Sequence, residues 1–234
     1  MTTKEIDAPT REPTLPLRMS YEAYLDWCDE DTHAEWVDGE VIVHMPPFDV
    51  HQLVLNYLNH LLDLYVIQLD LGKVFIAPFE MRLQTENSAR QPDIFVVIGE
   101  NQKHLSRERM DGPADLVVEI ISRDSVRRDR HDKFQEYRRA GVREYWVIDP
   151  RPGRNRADFY RLDATGEYEL YATEDDERVE SATIPGFWLR PAWLWPTSRM
   201  PLLDAFYEIR GLTAEQTAEI RKMLGTSGEA DSAA

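Results

Sequence analysis

A single cysteine, Cys28, stands in the 234 residues. No disulfide can form within the chain, so a reducing, cytoplasmic setting is expected. No apolar run approaches the ~18 residues that a membrane-spanning helix needs, and no membrane partner is expected. The opening stretch MTTKEIDAPTREPTLPLRM carries acids and prolines where a secretory signal would need apolar residues. Glycine is sparse, at 11 residues, and no Gly-rich phosphate loop, CxxC, GxSxG or HExxH run occurs. Their absence removes the chemistries those motifs serve. The six histidines are scattered, which argues against a zinc site. Positive charge is also short: 27 Lys and Arg face 43 Asp and Glu, for a net charge of -16. A uniformly acidic surface repels a phosphate backbone, which excludes an unspecific polyanion coat but not a local basic site.

What is present is a core. Hydrophobic residues make up 42% of the chain, enough for a sizeable core, and the length suits one domain with extensions or two small ones. The composition divides it into a flexible, Pro-containing arm over 1–18, a domain over 19–196, and a C-terminal helical extension with a disordered tail over 197–234. Ser20 is placed to cap a short helix from Tyr21 to Trp27. Two short alternating runs, Glu35–Val37 and Glu40–His44, flank Asp38-Gly39, a pair suited to the positive φ of a tight hairpin. Val50, Val54, Tyr57, Leu58, Leu61 and Tyr65 recur at helical spacing and predict a helix over 49–69. Strands are expected at Lys73–Ile76 and Pro78–Leu83. The runs in Asp93–Ile98 and Asp115–Ile121 are continuously apolar, as in strands buried on both faces. A loop over 99–114 separates them. A helix over 127–140, closed by Gly141, leads into a strand at Arg143–Ile148, the pattern of a crossover unit. A hairpin over 156–171, core packing of the Trp-rich 188–195 segment, and a last helix over 214–224 with a Thr213–Gln216 capping box complete the reading.

Charged residues inside apolar runs are the candidates for chemistry. Glu119 lies between Val117-Val118 and Ile120-Ile121, and Asp93 opens the other strong strand. A buried carboxylate needs a partner. Two carboxylates on neighbouring strands make a hard oxygen site for Mg²⁺ or Mn²⁺; satisfaction by arginine or backbone donors is the alternative. Lys133, on the following helix, could lay its stem over apolar surface toward these acids, or simply pair with Asp129 one turn back. Residues 123–143 hold eight basic and four acidic side chains, a local excess that reads either as a polyanion contact or as an ion-paired helix face.

The order of these segments carries a resemblance. AEWVDGEVIVHMPP, His51 at the start of the long helix, RQPDIFVV, DLVVEIIS, the Asp129–Lys133–Tyr137 helix and GVREYWVIDP together resemble the Uma-two family of restriction endonucleases, in the PD-(D/E)XK nuclease superfamily. The resemblance runs from about Met19 to Trp195. It implies an α/β, restriction endonuclease-like core: a mixed central sheet flanked by helices, with an N-terminal β-hairpin and a C-terminal helical extension. It also implies an endonuclease that hydrolyses DNA phosphodiesters with Mg²⁺ or Mn²⁺. Asp93 and Glu119 take the metal-ligand positions, Lys133 is catalytic, and His51 and Glu35 are further candidates. One departure stands out. The superfamily lysine two residues after the glutamate is replaced by Ile121, and Lys133 takes its role in the Uma-two branch. A non-catalytic nucleic-acid-binding or oligomeric interaction module on the same fold is the alternative. Cutting both strands of a duplex with one site per chain would favour a homodimer.

Overall fold

The computed structural model describes residues 17–28, 32, 34–43, 49–123 and 125–223. The arm before Leu17, His44 of the hairpin and the tail GTSGEADSAA lie outside them. In chain order the elements are β1 (Leu17–Arg18), α1 (Tyr21–Trp27), β2 (Ala34–Val37), β3 (Glu40–Val43), α2 (Asp49–Gln68), β4 (Gly72–Ile76), β5 (Glu80–Leu83) and β6 (Ser88–Arg90). There follow β7 (Ile94–Ile98), β8 (Arg109–Asp111), β9 (Leu116–Ile120), α3 (Lys133–Ala140), β10 (Glu144–Asp149), β11 (Arg156–Leu162) and β12 (Tyr168–Thr173). The last are β13 (Val179–Glu180), β14 (Trp188–Leu189), α4 (Leu202–Ile209) and α5 (Ala214–Met223).

Pleat alternation builds the centre. In β9, Leu116, Val118 and Ile120 belong to one apolar cluster, while Val117 and the following Ile121 belong to another. The neighbouring β7 and β10 divide the same way: Ile94, Val96, Trp146 and Ile148 on one side, Phe95, Val97, Tyr145 and Val147 on the other. Burial on both faces explains the continuous apolar runs. The sheet order is β12-β11-β10-β9-β7-β4, with β9 antiparallel to β7 and parallel to β10. The parallel pair is joined through α3, as the helix-turn-strand signature predicts.

Each face is covered differently. On one, α2 inserts Val54, Leu58, Leu61, Leu62 and Tyr65 beside Phe187, Trp188, Trp193 and Trp195, so the tryptophans are core residues. On the other, α3 contributes Tyr137, and a second sheet contributes Met81, Leu83 and Met110. That sheet, ordered β1-β3-β2-β6-β5-β8, absorbs the N-terminal hairpin. Asp38 and Gly39 turn the hairpin at φ of 48° and 84°. Ser20 caps α1 by accepting from Ala23 N–H at 3.2 Å.

Several expectations need correction. Leu17–Arg18, expected in the arm, pair with β3. The strand expected from Pro78 begins at Glu80, the turn-rich stretch after it yields the short β6, and the 99–114 loop contains a 3₁₀ segment and β8. The helix expected over 127–140 is in two parts. Arg128–Asp132 forms a wide turn in which Lys133 N–H donates to the carbonyl of Arg128, five residues back, before regular α3 begins. Gly141 closes α3 in the left-handed conformation, at φ of 90°. No helix among the described residues is long and apolar enough to cross a membrane.

Candidate active site

Register places the two acids of the central strands. Ile94 pairs with Val118, so one step further along the same ladder sets Asp93 across from Glu119. Asp93 Oδ2 accepts the Ile120 N–H at 2.7 Å, which ties its carboxylate to the end of β9. Glu119 shares its face with Val117 and Ile121 and so points toward α3. There Lys133 Nζ donates to Glu119 Oε1 at 2.8 Å, and the Tyr137 hydroxyl donates to the same oxygen at 2.8 Å. Lys133 is only 3% exposed. Its Nζ also lies 3.0 Å from Glu35 Oε1 and 3.8 Å from Asp129 Oδ1. Of its two predicted partners, Lys133 is therefore closer to the β9 glutamate than to Asp129.

Glu35 enters from the second sheet. The pleat of β2 turns Ala34 and Trp36 toward α1 and Glu35 the other way, where it is fully buried. Arg90 fixes it: Nη1 donates to Glu35 Oε2 at 3.2 Å, while Nε lies 3.0 Å from Glu136 Oε1 on α3. The Gln91 N–H donates to Glu35 Oε1 at 3.1 Å, and Ser88 donates to Glu136. β6 thus ties the second sheet to α3. His51, on the first turn of α2, places Nε2 3.3 Å from Asp93 Oδ2. All five residues singled out in the sequence, Asp93, Glu119, Lys133, His51 and Glu35, meet in one cluster. Arg90, Tyr137, Glu136 and the structural weight of Asp129 went unassigned there. Their signal was the i, i+4, i+8 spacing of Asp129, Lys133 and Tyr137 on one helix, and the arginine three residues before Asp93.

Charge in this cluster is unbalanced. Glu35, Asp93, Glu119, Asp129 and Glu136 gather around the buried cations Lys133 and Arg90, and Arg128 acts on Asp129 from nearby. Burial, reinforced by Asp129, Asp93 and Glu35, pushes Glu119 up to about 8 despite the pull of Lys133. Burial likewise raises Asp129, against the opposing charge of Lys133. Lys133 is held well above the usual lysine value: burial opposes the charge, but Glu119, Glu35 and Asp129 together outweigh it. A surplus of hard oxygen donors is what a divalent cation would neutralise. Among the described residues no group of three or more His, Cys, Asp and Glu side chains is placed to enclose an ion. Asp93 and Glu119 supply two carboxylates here, fewer than a closed ion site needs. Ile121 is buried in a cluster with Tyr137, Tyr145 and Val147, and the positive charge beside Glu119 comes from Lys133 on α3.

The cluster borders open space. A cleft of about 380 Å³ is lined by His51, Ile121 and residues of the loops after β9 and β10. A larger one, about 520 Å³, lies at the opposite ends of the same strands around Ile98, Asp115 and Arg143 and contains none of the clustered acids.

Comparison with known proteins bears on the family and the fold. The Uma2 family, described as "Putative restriction endonuclease", matches residues 21–192. The chain belongs to the Uma2 family. Membership places it among restriction endonuclease-like, nuclease-type proteins, and the match takes in every residue of the cluster. A solved structure from Anabaena variabilis, described as a "putative nuclease belonging to DUF820", shares the fold. It has a TM-score of 0.56 and 16% identity, covering 82% of this chain and 99% of that one. No curated protein matches the chain.

Proposed function

We propose that this Uma2 member is a divalent-metal-dependent endonuclease that hydrolyses phosphodiester bonds of DNA. The observation that carries the reading is the convergence of Lys133, 2.8 Å from Glu119, with an Asp93–Glu119 pair set across one register step at the ends of adjacent strands. Asp93 and Glu119 would hold Mg²⁺ or Mn²⁺. Such an ion supplies positive charge to a phosphoryl oxygen and makes a water more acidic. The protein's own contribution is orientation. Lys133 has three N–H donors; Glu119 and Glu35 take two, which leaves one for the attacking water or a phosphoryl oxygen. Glu35, clamped by Arg90, and Glu119, which accepts from the Tyr137 hydroxyl, hold that ammonium in place. His51 is held at Asp93 through Nε2, and its other nitrogen is left for a water or the strand being cut. In the reaction, the water oxygen bonds to phosphorus and gives up one proton to solvent as the bridging P–O bond breaks, and the leaving alkoxide takes up one proton from solvent. Action on both strands of a duplex would bring two chains together as a homodimer.

Supercoiled plasmid with Mg²⁺ or Mn²⁺ tests this. Nicked or linear product is expected from the native chain. Asp93→Asn, Glu119→Gln and Lys133→Met are each expected to lose at least ~10²-fold in rate, the scale on which removing one charge-stabilising group acts. Full cleavage by both Asp93→Asn and Glu119→Gln would overturn the assignment. Retained DNA binding with no metal-dependent cleavage would favour the non-catalytic module.

A further inference from the structure

Four arginines of the basic segment at 123–143 are paired to acids outside it: Arg130 to Asp158, Arg138 to Glu167, Arg139 to Glu86 and Arg143 to Asp115. The cleft beside the candidate active site holds arginines of the same kind. Arg151 lines it, but Asp149 takes its Nε at 2.7 Å and its Nη2 at 2.8 Å. Arg123, on the same wall, is engaged as well. With its charge answered, Arg151 offers the cleft a flat guanidinium held still by two bonds. Val50, Ile121 and Pro152 add apolar surface. The polar atoms left over are uncharged. His51 is 6% exposed, and its Nδ1 has no hydrogen-bond partner among the described residues. Its Nε2 faces Asp93 Oδ2 at 3.3 Å, so the ring proton belongs on Nε2 and Nδ1 presents a lone pair. Ser122 gives its backbone N–H to Ser125 Oγ at 2.9 Å, and its hydroxyl has no partner among the described residues.

We propose that this cleft takes an unstacked nucleobase of the strand being cut. The inference rests on the nuclease reading and names the part of the substrate that meets the protein beside the acids. Three features suit a base. The first is the wall: a fixed guanidinium plane is a surface on which bases stack, and apolar neighbours extend it. The second is the orphan nitrogen. A buried polar atom without a partner calls for one. A lone pair on Nδ1 accepts the N–H groups along a base edge, whereas a diester phosphate has only acceptor oxygens to set against it. The third is size and make-up. About 380 Å³, lined by apolar groups with a few placed polar atoms, is in the range of small-ligand pockets. Position ties the pocket to the chemistry. His51 meets Asp93 on one side and lines the cleft on the other, so a base seated there belongs to a nucleotide beside the cut. A base stacked within a duplex cannot enter. The substrate this predicts carries a single-stranded, mismatched or extruded base at the cleavage site.

The test is binding, kept apart from cleavage. The full chain in EDTA is titrated by anisotropy against two fluorescein-labelled duplexes, each with one extra nucleotide bulged at its centre. In one the extra nucleotide carries adenine; in the other it is abasic. The phosphates are the same in number and place, so only the base differs. The native chain is expected to bind the adenine bulge about tenfold tighter, the scale of one stacked base. That ratio should hold from about 50 to 200 mM NaCl, because counterion release is the same for both probes. Ser122→Leu fills the cleft with an aliphatic group, and His51→Ala removes the acceptor. Each is expected to bring the ratio to within about twofold of one, while binding of the abasic duplex stays within about twofold of the native value, which also shows that the variant is folded. Arg154→Gln removes an exposed cation from the same wall and is expected to weaken both probes alike, leaving the ratio unchanged. A native ratio near one, or a native ratio kept by either cleft variant, would overturn the proposal. A ratio near one beside metal-dependent plasmid cleavage defeats this inference alone. A tenfold ratio without metal-dependent cleavage by the native chain defeats the nuclease reading and leaves the base pocket standing.

Discussion

A buried arginine between two carboxylates is held by what its loss would leave behind. Arg90 is 3% exposed and bridges Glu35 on β2 to Glu136 on α3. Replacing such a residue with an apolar one strands two buried charges, which is strongly destabilising even where the intact pair adds little net stability. Arg90→Met is therefore expected to cost about 3–5 kcal/mol by urea unfolding. Glu136→Gln added to it should recover part of that loss, because one of the stranded charges is gone. A cost below about 1 kcal/mol, or a strictly additive double variant, would show that Arg90 does not clamp the two acids. This residue also shows why part of the site was illegible in the sequence. Glu119 announced itself as a charge inside LVVEII, and Asp93 as a charge at the head of IFVVI. Arg90 and Glu136 are 46 residues apart and look like ordinary surface ions until β6 and α3 bring them together. Glu35 was as readable as an exposed strand acid as it was as a site residue; only the second sheet behind it decides.

At the level of elements, what could be read depended on whether a segment buries its own pattern. β7, β9 and β10 carry continuous apolar runs because both faces are covered, and α2 carries a clean helical stripe. β6 and β8 are three residues long and polar in sequence, and their strand character comes from neighbours in the second sheet, so local pattern could not reveal them. α4 follows Pro201 as a short apolar cluster, with no cap to mark it in the sequence. The wide turn before Lys133 is not visible to a plain 3.6-residue reading over 127–140, although the i, i+4 spacing of Asp129 and Lys133 keeps the two on one face. β4 illustrates a constraint of another kind. A Cβ built at Gly72 would stand 2.1 Å from the Val97 carbonyl oxygen and 2.8 Å from Ile98 Cα, both backbone atoms of the paired β7. Nothing flexible can yield there. Gly72→Ala is expected to lower stability by about 3 kcal/mol, the upper end of the range for forced overpacking. At Gly99 the strain is conformational only: φ is +52° and a Cβ would meet nothing within 4 Å. Gly99→Ala should cost about 1 kcal/mol, the scale of the left-handed penalty. Equal unfolding midpoints for the two variants would refute the packing argument for β4.

For the whole molecule the governing quantity is negative charge. The chain carries -16 overall, and its most buried polar cluster adds to that repulsion instead of relieving it. A cation that binds the folded chain at Asp93 and Glu119 has no equivalent site once β7 and β9 separate, so its binding free energy becomes folding free energy. At a concentration 100 times its Kd the gain is about 2.7 kcal/mol. For a chain of this size each kcal/mol moves the melting temperature by about 2–4 °C, so Mn²⁺ is expected to raise Tm by about 5–10 °C. The acidic surface offers a competing explanation, since any salt screens it. Matching ionic strength with NaCl removes that difference, and Asp93→Asn/Glu119→Gln separates the site from the surface. The native chain should keep most of the Mn²⁺-dependent shift at constant ionic strength, and the double variant should show almost none. Equal shifts in both proteins would mean that the ion binds elsewhere on the acidic surface, and the pairing of Asp93 with Glu119 would then stand as architecture without a metal-binding role.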